Sequence, residues 1–297
     1  MKKPLFTGSN VAIITPMHED ESVNFEKLGE LIEFHIANGT SAITICGTTG
    51  EAPTLKDPEH LAAIKYTVEH VAGRIPVIAG TGSNYTSHAI EFSQEAAAYG
   101  ADGVLLVTPY YNKSTPKGLI KHYTKIVDEA NIPAIVYNVP SRTGVSLTVP
   151  IYKELSKHPL INGVKEASGS TDIVLRTLDA CGDDLNIWSG NDNQIVPFMA
   201  MGAKGVISVL ANICPKETAE MAEACLQGDY KKAASMQIDY MELIDSLFCE
   251  VNPIPIKTAM NLIGMNAGPV RLPLCEMDEK NEARLKAALL EKGFQLA

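Results

Sequence analysis

The stretch Ile161-Asn162-Gly163-Val164-Lys165-Glu166-Ala167-Ser168-Gly169 is an apolar, strand-like run that ends on a lysine and breaks into small residues and a turn. Holding a lysine at the mouth of a core is unfavourable, because desolvation penalises the charged ammonium. The same penalty makes the amine a useful nucleophile, since a neutral lysine attacks a ketone to form a Schiff base. A solvated strand-end lysine with no such role fits these residues at least as well. The surrounding chain has to decide between the two.

Working outward, similar apolar, β-branched runs recur with helical patterns between them. They are Val11–Thr15, Ala42–Cys46, Pro76–Ala79, Gly103–Val107, Pro133–Tyr137, Ile161–Lys165, Leu185–Ser189 and Gly205–Val209. Eight runs about 20–35 residues apart have the rhythm of a (β/α)8 TIM barrel, an α/β fold. Their near-continuous hydrophobicity suits parallel strands covered on both faces. The intervening periodicity predicts helices over Phe25–Ala37, Pro58 to about Ala72 with Asp57 as N-cap, Thr86–Tyr99, Pro116–Ala130, Pro150–Lys157 and Pro215–Gln227. From about Gly228 the alternation stops, and Tyr230–Phe248, Ile256–Ile263 and Asp278–Leu290 are all helical in pattern. The expected organisation is a barrel over residues 1–227 and a small C-terminal all-helical domain over 228–297. A doubly wound open sheet is the competing architecture, but Thr15-Pro16-Met17-His18 is not the glycine fingerprint expected after its first strand.

The 297 residues are 45% hydrophobic and 20% charged, an ordinary soluble composition. A formal net charge of −10 argues against a general nucleic-acid surface, because no excess of cations exists to neutralise phosphates. It also requires any site for anionic substrates to supply its own local positive charge. No stretch approaches the roughly 18 apolar residues of a membrane span, and no secretory signal precedes Gly8, so a cytoplasmic protein is expected. Six scattered cysteines form no CxxC pair, and the seven histidines form neither HxH nor HExxH, so no metal site is expected.

In a (β/α)8 barrel, chemistry sits on the loops after the C-terminal ends of the strands. Those loops carry Gly47-Thr48-Thr49-Gly50-Glu51, Gly80-Thr81-Gly82-Ser83-Asn84, Thr108-Pro109-Tyr110-Tyr111-Asn112, Asn138-Val139-Pro140-Ser141-Arg142-Thr143-Gly144 and Ser189-Gly190-Asn191-Asp192. Position separates the lysines: Lys204 precedes the eighth run at the barrel bottom, and Lys113 and Lys117 lie in a polar loop. Lys165 alone leaves an apolar strand at the productive end. Strand alternation turns Lys165 to the lumen if Val164 packs under the helices, which leaves Glu166 on the helix side with no partner the sequence can name. Tyr137 shares parity with Ile135 and would bring a phenol toward the amine, to relay protons or merely to pack. Thr48 and Thr49 offer hydroxyls and amides for a carboxylate, or plain turn chemistry. Arg142 offers a fork of donors suited to a carboxylate, or a solvated loop cation. Gly80-Thr81-Gly82 lacks the third glycine and lysine of a phosphate loop.

Together, Gly47-Thr48-Thr49-Gly50-Glu51, Tyr137-Asn138-Val139-Pro140 and Gly163-Val164-Lys165-Glu166 resemble, in order and spacing, the pyruvate-dependent class I aldolases. The run Tyr137-Asn138-Val139-Pro140-Ser141-Arg142-Thr143-Gly144 narrows the likeness to the dihydrodipicolinate synthase family, which differs from the sialic-acid and keto-deoxy-sugar aldolases in its arginine. The resemblance extends from Gly8 to Arg271-Leu272-Pro273 and includes Asn252-Pro253-Ile254-Pro255-Ile256-Lys257.

The resemblance implies condensation of pyruvate with L-aspartate 4-semialdehyde in diaminopimelate and lysine synthesis, through a Schiff base on Lys165 and without a cofactor. Tyr137, Thr49 and Tyr111 would form a proton relay, with Tyr111 supplied by a neighbouring subunit of a homotetramer built as a dimer of dimers. Thr48, Thr49, Gly190 and the backbone of Ile207 would surround pyruvate, and Arg142 would receive the carboxylate of the aldehyde. Asp57 and His88 stand where lysine-inhibited relatives carry a histidine and a glutamate, which implies loss of the acid that would hold a lysine ammonium and so weak or absent feedback. A keto-deoxy-sugar aldolase and a non-catalytic binding barrel are the remaining alternatives. Arg142 speaks against the first, and the joint presence of Lys165, Tyr137, Thr49 and Tyr111 against the second.

Overall fold

Eight apolar segments become parallel strands: β1 (Gly8–Ala12), β2 (Ala42–Ile45), β3 (Val77–Gly80), β4 (Gly103–Val107), β5 (Ala134–Asn138), β6 (Ile161–Glu166), β7 (Asn186–Ser189) and β8 (Gly205–Ser208). Each pairs with the next, and β8 pairs back onto β1 with Gly205 opposite Gly8, closing the barrel. The computed structural model describes residues 2–297. β1 starts earlier than the apolar run Val11–Thr15, because Ser9 and Asn10 hydrogen-bond in register with Val206 and Ile207 and carry the edge that closes the ring. Backbone pairing there outweighs the low strand preference of asparagine.

Period-two alternation sorts the strand residues into two layers. Val11, Ile43, Ala79, Val104, Val136, Val164, Ile187 and Val206 pack outward under the helices. Ala12, Ala42, Ile78, Leu105, Ile135, Tyr137, Trp188 and Ile207 fill the lumen. The lumen is stoppered from below: the Phe6 and Trp188 rings stack with centroids 4.9 Å apart, and Trp188 Nε1 donates to Phe6 O at 3.3 Å. Gly163 makes room for that indole, since a Cβ there would lie 2.6 Å from the Trp188 ring and 2.2 Å from Asn186 O.

The helices are α1 (Phe25–Ala37), α2 (Asp57–Val71), α3 (Thr86–Tyr99), α4 (Pro116–Ala130), α5 (Pro140–Thr143), α6 (Val149–Leu155) and α7 (Thr171–Cys181). They continue with α8 (Ile195–Ala200), α9 (Pro215–Leu226), α10 (Tyr230–Asp239), α11 (Met241–Ser246), α12 (Ile254–Leu262) and α13 (Glu279–Glu291). Asp57 is not the cap of α2. Lys56 takes the extended N-cap conformation, and the Glu59 carboxylate accepts from its N–H at 3.1 Å. Tyr230–Phe248 is not one helix either, because α10 ends where Tyr240 adopts φ −91° and ψ 0° and α11 restarts beyond it.

After α9 no described residue forms a strand. α10 packs on α8 and α9, α11 packs on α13 and on the turn Asp192–Gln194, and α12 packs on α13. α12 is anchored to the β2 loop through a buried ion pair: Lys257 Nζ lies 2.9 Å from Glu51 Oε1 and also donates to Thr15 O and Pro269 O. The other Glu51 oxygen accepts from Arg271 N at 3.0 Å, and the Arg271 guanidinium forks onto Glu59. Replacing Lys257 with Met strands the Glu51 carboxylate in the core without its counter-ion. The expected loss is about 3–5 kcal/mol, read as a lower urea midpoint at fixed protein concentration.

Candidate active site

Lys165 sits on β6 opposite Tyr137 of β5 and Trp188 of β7, and its side chain is only 5% exposed. Val164 packs outward, so Lys165 turns into the lumen, where its Nζ lies 4.4 Å from the centroid of the Tyr137 ring. Gly190 lies against the Lys165 stem: a Cβ there would approach Lys165 Cγ to 3.1 Å, Cε to 3.2 Å and Ala167 Cβ to 2.7 Å. Burial is the main reason the amine falls from the ordinary lysine value to about 8. The Arg142 guanidinium pushes in the same direction, and the Asp192 carboxylate opposes it. At pH 7 about a tenth of the amine is then neutral, against well under a thousandth for an ordinary lysine.

Asp192 is buried in the turn after β7, where one of its oxygens accepts from the backbone N–H groups of Val209 (3.0 Å) and Leu210 (2.9 Å). Burial raises its pKa, against those hydrogen bonds, a Ser208 hydroxyl and the Lys165 charge. Burial likewise raises the Tyr137 phenol, while Arg142 and a hydrogen bond with the Thr48 side chain pull it back down. The β6 carboxylate Glu166 finds the partners that the sequence could not name. Asn138 Nδ2 donates to both of its oxygens at 3.0 and 3.1 Å, Tyr152 OH donates at 2.6 Å, and Ser168 N donates at 2.8 Å. These bonds fix the strand that carries Lys165 by filling both oxygens of a buried carboxylate.

Lys165, Tyr137, Thr48, Arg142 and Gly190 are thereby brought together, and Ile207 lines the lumen beside them. Thr49 departs from expectation. Neighbouring residues of the tight β2 turn aim their side chains apart, so Thr48 reaches the phenol while Thr49 is buried away from it. The Thr49 hydroxyl instead accepts from Asn252 Nδ2 at 3.0 Å. The hydroxyl bonded to Tyr137 is therefore that of Thr48. Tyr111 stands 92% exposed with φ +66°, a left-handed conformation uncommon for a bulky residue, and it does not touch this group.

A cavity of about 210 Å³ runs from Thr48 and Tyr137 outward to Tyr110, His60, Asp57 and His88. The cavity keeps an acid after all. Asp57 supplies it from the first turn of α2, and His88 Nε2 stands 3.4 Å from its carboxylate. Asn252 was legible only as part of an Asn-Pro-Ile-Pro run. Its contact with a turn some two hundred positions earlier has no local signal. Among the described residues no group of three or more His, Cys, Asp or Glu side chains is placed to hold a metal ion, and no helix is long and apolar enough to cross a membrane.

An amine kept dry beside a phenol at the carboxyl ends of barrel strands is the working arrangement of a class I aldolase. Residues 5–292 match the dihydrodipicolinate synthetase family, and the chain belongs to that family. It is 56% identical over 292 residues to the 4-hydroxy-tetrahydrodipicolinate synthase of Thermoanaerobacter pseudethanolicus, covering 98% of each chain. It is 53% identical over 293 residues to that of Caldicellulosiruptor saccharolyticus, covering 99% of each. The crystal structure of the chloride-inhibited dihydrodipicolinate synthase from Acinetobacter baumannii complexed with pyruvate is similar throughout. It shows a TM-score of 0.95 and 42% identity, covering 97% of this chain and 99% of that one.

An amine with a pKa of about 8 titrates near neutral pH, and only the neutral form of an amine can attack a ketone. The rate of borohydride-trapped adduct formation with pyruvate should rise with pH up to about 8 and level off above it. Asp192→Asn removes the charge that holds the proton on, so the rising limb should move to lower pH. A limb that stays in place, or moves up, would show that Asp192 does not act on the amine.

Proposed function

We propose that the chain condenses pyruvate with L-aspartate 4-semialdehyde to give 4-hydroxy-tetrahydrodipicolinate, at the entry to diaminopimelate and lysine synthesis. The observation that carries this reading is the buried Lys165 amine 4.4 Å from the Tyr137 ring centroid. The neutral amine adds to the pyruvate ketone, and loss of water from the carbinolamine leaves an imine. Loss of a methyl proton gives an enamine whose carbon attacks the aldehyde, forming the new carbon–carbon bond. Tyr137 and Thr48 move protons to and from these intermediates, and no cofactor beyond the lysine itself is required.

Thr48, Thr49, Gly190 and the backbone of Ile207 surround the pyruvate moiety, and Arg142 receives the aldehyde's carboxylate as a charge-assisted fork. The exposed, left-handed Tyr111 is read as extending the relay of a neighbouring subunit within a homotetramer, a dimer of dimers acting in the cytoplasm. Residues 228–297 form the helical domain that backs the mouth of the barrel. Lysine feedback is read as weak on grounds different from a missing acid: the Asp57 carboxylate is largely exposed and shares one oxygen with His88 Nε2 at 3.4 Å, so it offers an incoming ammonium a solvent-screened partner.

Borohydride with pyruvate should leave a covalent adduct on Lys165, located by intact mass and peptide mapping. Its absence would favour a binding barrel over an enzyme. Arg142→Ala should leave that adduct intact while lowering kcat/KM for the aldehyde about 10²–10³-fold, through loss of a charge-assisted contact. Equal loss of both would contradict the role given to Arg142, and full activity on a keto-deoxy sugar acid would replace the substrate. Micromolar lysine should leave the rate unchanged, and strong inhibition at that level would overturn the reading of Asp57 and His88.

A further inference from the structure

Asn252 lies in the segment before α12, far in sequence from every residue assigned a role above, yet it touches two of them. Its side-chain Nδ2 donates to Thr49 Oγ1 at 3.0 Å, and its backbone oxygen accepts from Arg142 Nη2 at 3.0 Å. The residue is 5% exposed, so neither contact is shared with bulk solvent on its side. Thr49 belongs to the β2 turn that faces pyruvate, and Arg142 belongs to the β5 loop that faces the aldehyde. One residue therefore ties the two loops together.

The polarity of the first bond matters as much as its length. A threonine hydroxyl has one proton and two lone pairs. With the Asn252 amide filling an acceptor position, the Thr49 proton is left to donate elsewhere, and the turn's backbone N–H groups are held in one orientation. The second bond removes rotational freedom from a loop guanidinium that has no other hydrogen-bond partner among the described residues. Preorganised donors bind anions better because the ordering has been done in advance.

We infer that Asn252 is a positioning residue that fixes the two carboxylate receptors, the Thr48–Thr49 turn and Arg142, at the separation the condensation needs. The inference rests on the proposed two-substrate reaction and goes beyond it by assigning the alignment of both substrates to a residue of the C-terminal segment that contacts neither. Lys257 anchors the same segment to Glu51 of the same turn, so the Asn252 contact is made from a stiff support.

Charge and shape separate this role from simple packing. Asn252→Ala removes the donor and leaves a gap. Asn252→Asp keeps the volume, but it replaces the donor with an acceptor and sets a negative charge between the two receptors. Alignment of the β2 turn predicts that KM for pyruvate rises at least fivefold in Asn252→Ala and by as much or more in Asn252→Asp, while KM for the aldehyde moves less, because the backbone oxygen that accepts from Arg142 is kept in both variants. Saturating pyruvate should still give the Lys165 adduct in both variants. A packing role predicts the reverse order, with Asn252→Asp milder and activity tracking melting temperature. If Asn252→Ala does not fold, the isosteric Asp variant carries the test.

Thr49→Val should raise the KM for pyruvate by less in the Asn252→Asp background than in the unaltered protein, because the two changes share one bond. Losses that multiply would overturn the coupling. An adduct in the unaltered protein with the KM for pyruvate within twofold in the Asp variant would sink this inference alone. Failure of the unaltered protein to form an adduct would sink it together with the reaction on which it rests.

Discussion

Withdrawal of one ammonium from water governs this site. Lys165 occupies the lumen of a barrel among apolar inward side chains, with the buried Asn10 and Thr44 also on the inward side, and the floor beneath it is a stacked Phe6–Trp188 pair. Burial there outweighs the groups that favour the cation, so the proton is held loosely and the amine spends a useful fraction of its time neutral. Two charges trim the balance from opposite sides. Arg142 discourages protonation, and the buried Asp192 encourages it. Tyr137 offers a ring face to the residual cation and a hydroxyl to the chemistry. The absence of a side chain at Gly190 lets the lysine stem lie flat against the next loop, which limits the positions the amine can adopt.

The remainder of the architecture keeps that lumen aligned. Glu166, next in sequence, is locked by Asn138, Tyr152 and Ser168, so the strand end that delivers Lys165 is held from the helix side as well as by its ladder. On the opposite wall the β2 turn is gripped by the C-terminal helices through Glu51, Lys257 and Arg271. A buried ion pair of this kind is weak evidence for stability, since desolvation offsets much of its attraction. Its geometric effect is to tie α12 to the β2 turn at a fixed point.

What the sequence reveals and what it conceals follow from the range of the interactions. Strand rhythm and the inward parity of Tyr137 and Lys165 depend on period-two alternation, a local property, and they read directly from the chain. β1 was displaced because its first half is Ser9-Asn10, polar residues that ring closure alone draws into the sheet. Likewise, the break at Tyr240 carries no glycine or proline to announce it. The choice between Thr48 and Thr49 turns on the fold of a four-residue turn, where one dihedral decides which hydroxyl meets the phenol. Asn252, Asp192 and the partners of Glu166 are invisible for a different reason. Each is defined by a contact between segments remote in sequence, and such contacts leave no periodic trace.

The stoppered lumen has a consequence for molecular traffic. With Trp188 seated over Gly163 and bonded to the Phe6 carbonyl, the barrel is closed at its floor and opens as a neck at the carboxyl ends of its strands. Whatever binds on the amine first lies beneath whatever arrives second, and the water released by imine formation leaves through the same neck. Entry and departure are therefore queued. In the proposed condensation the keto acid is seated before the aldehyde closes over it, and the product must clear the neck before the next keto acid descends.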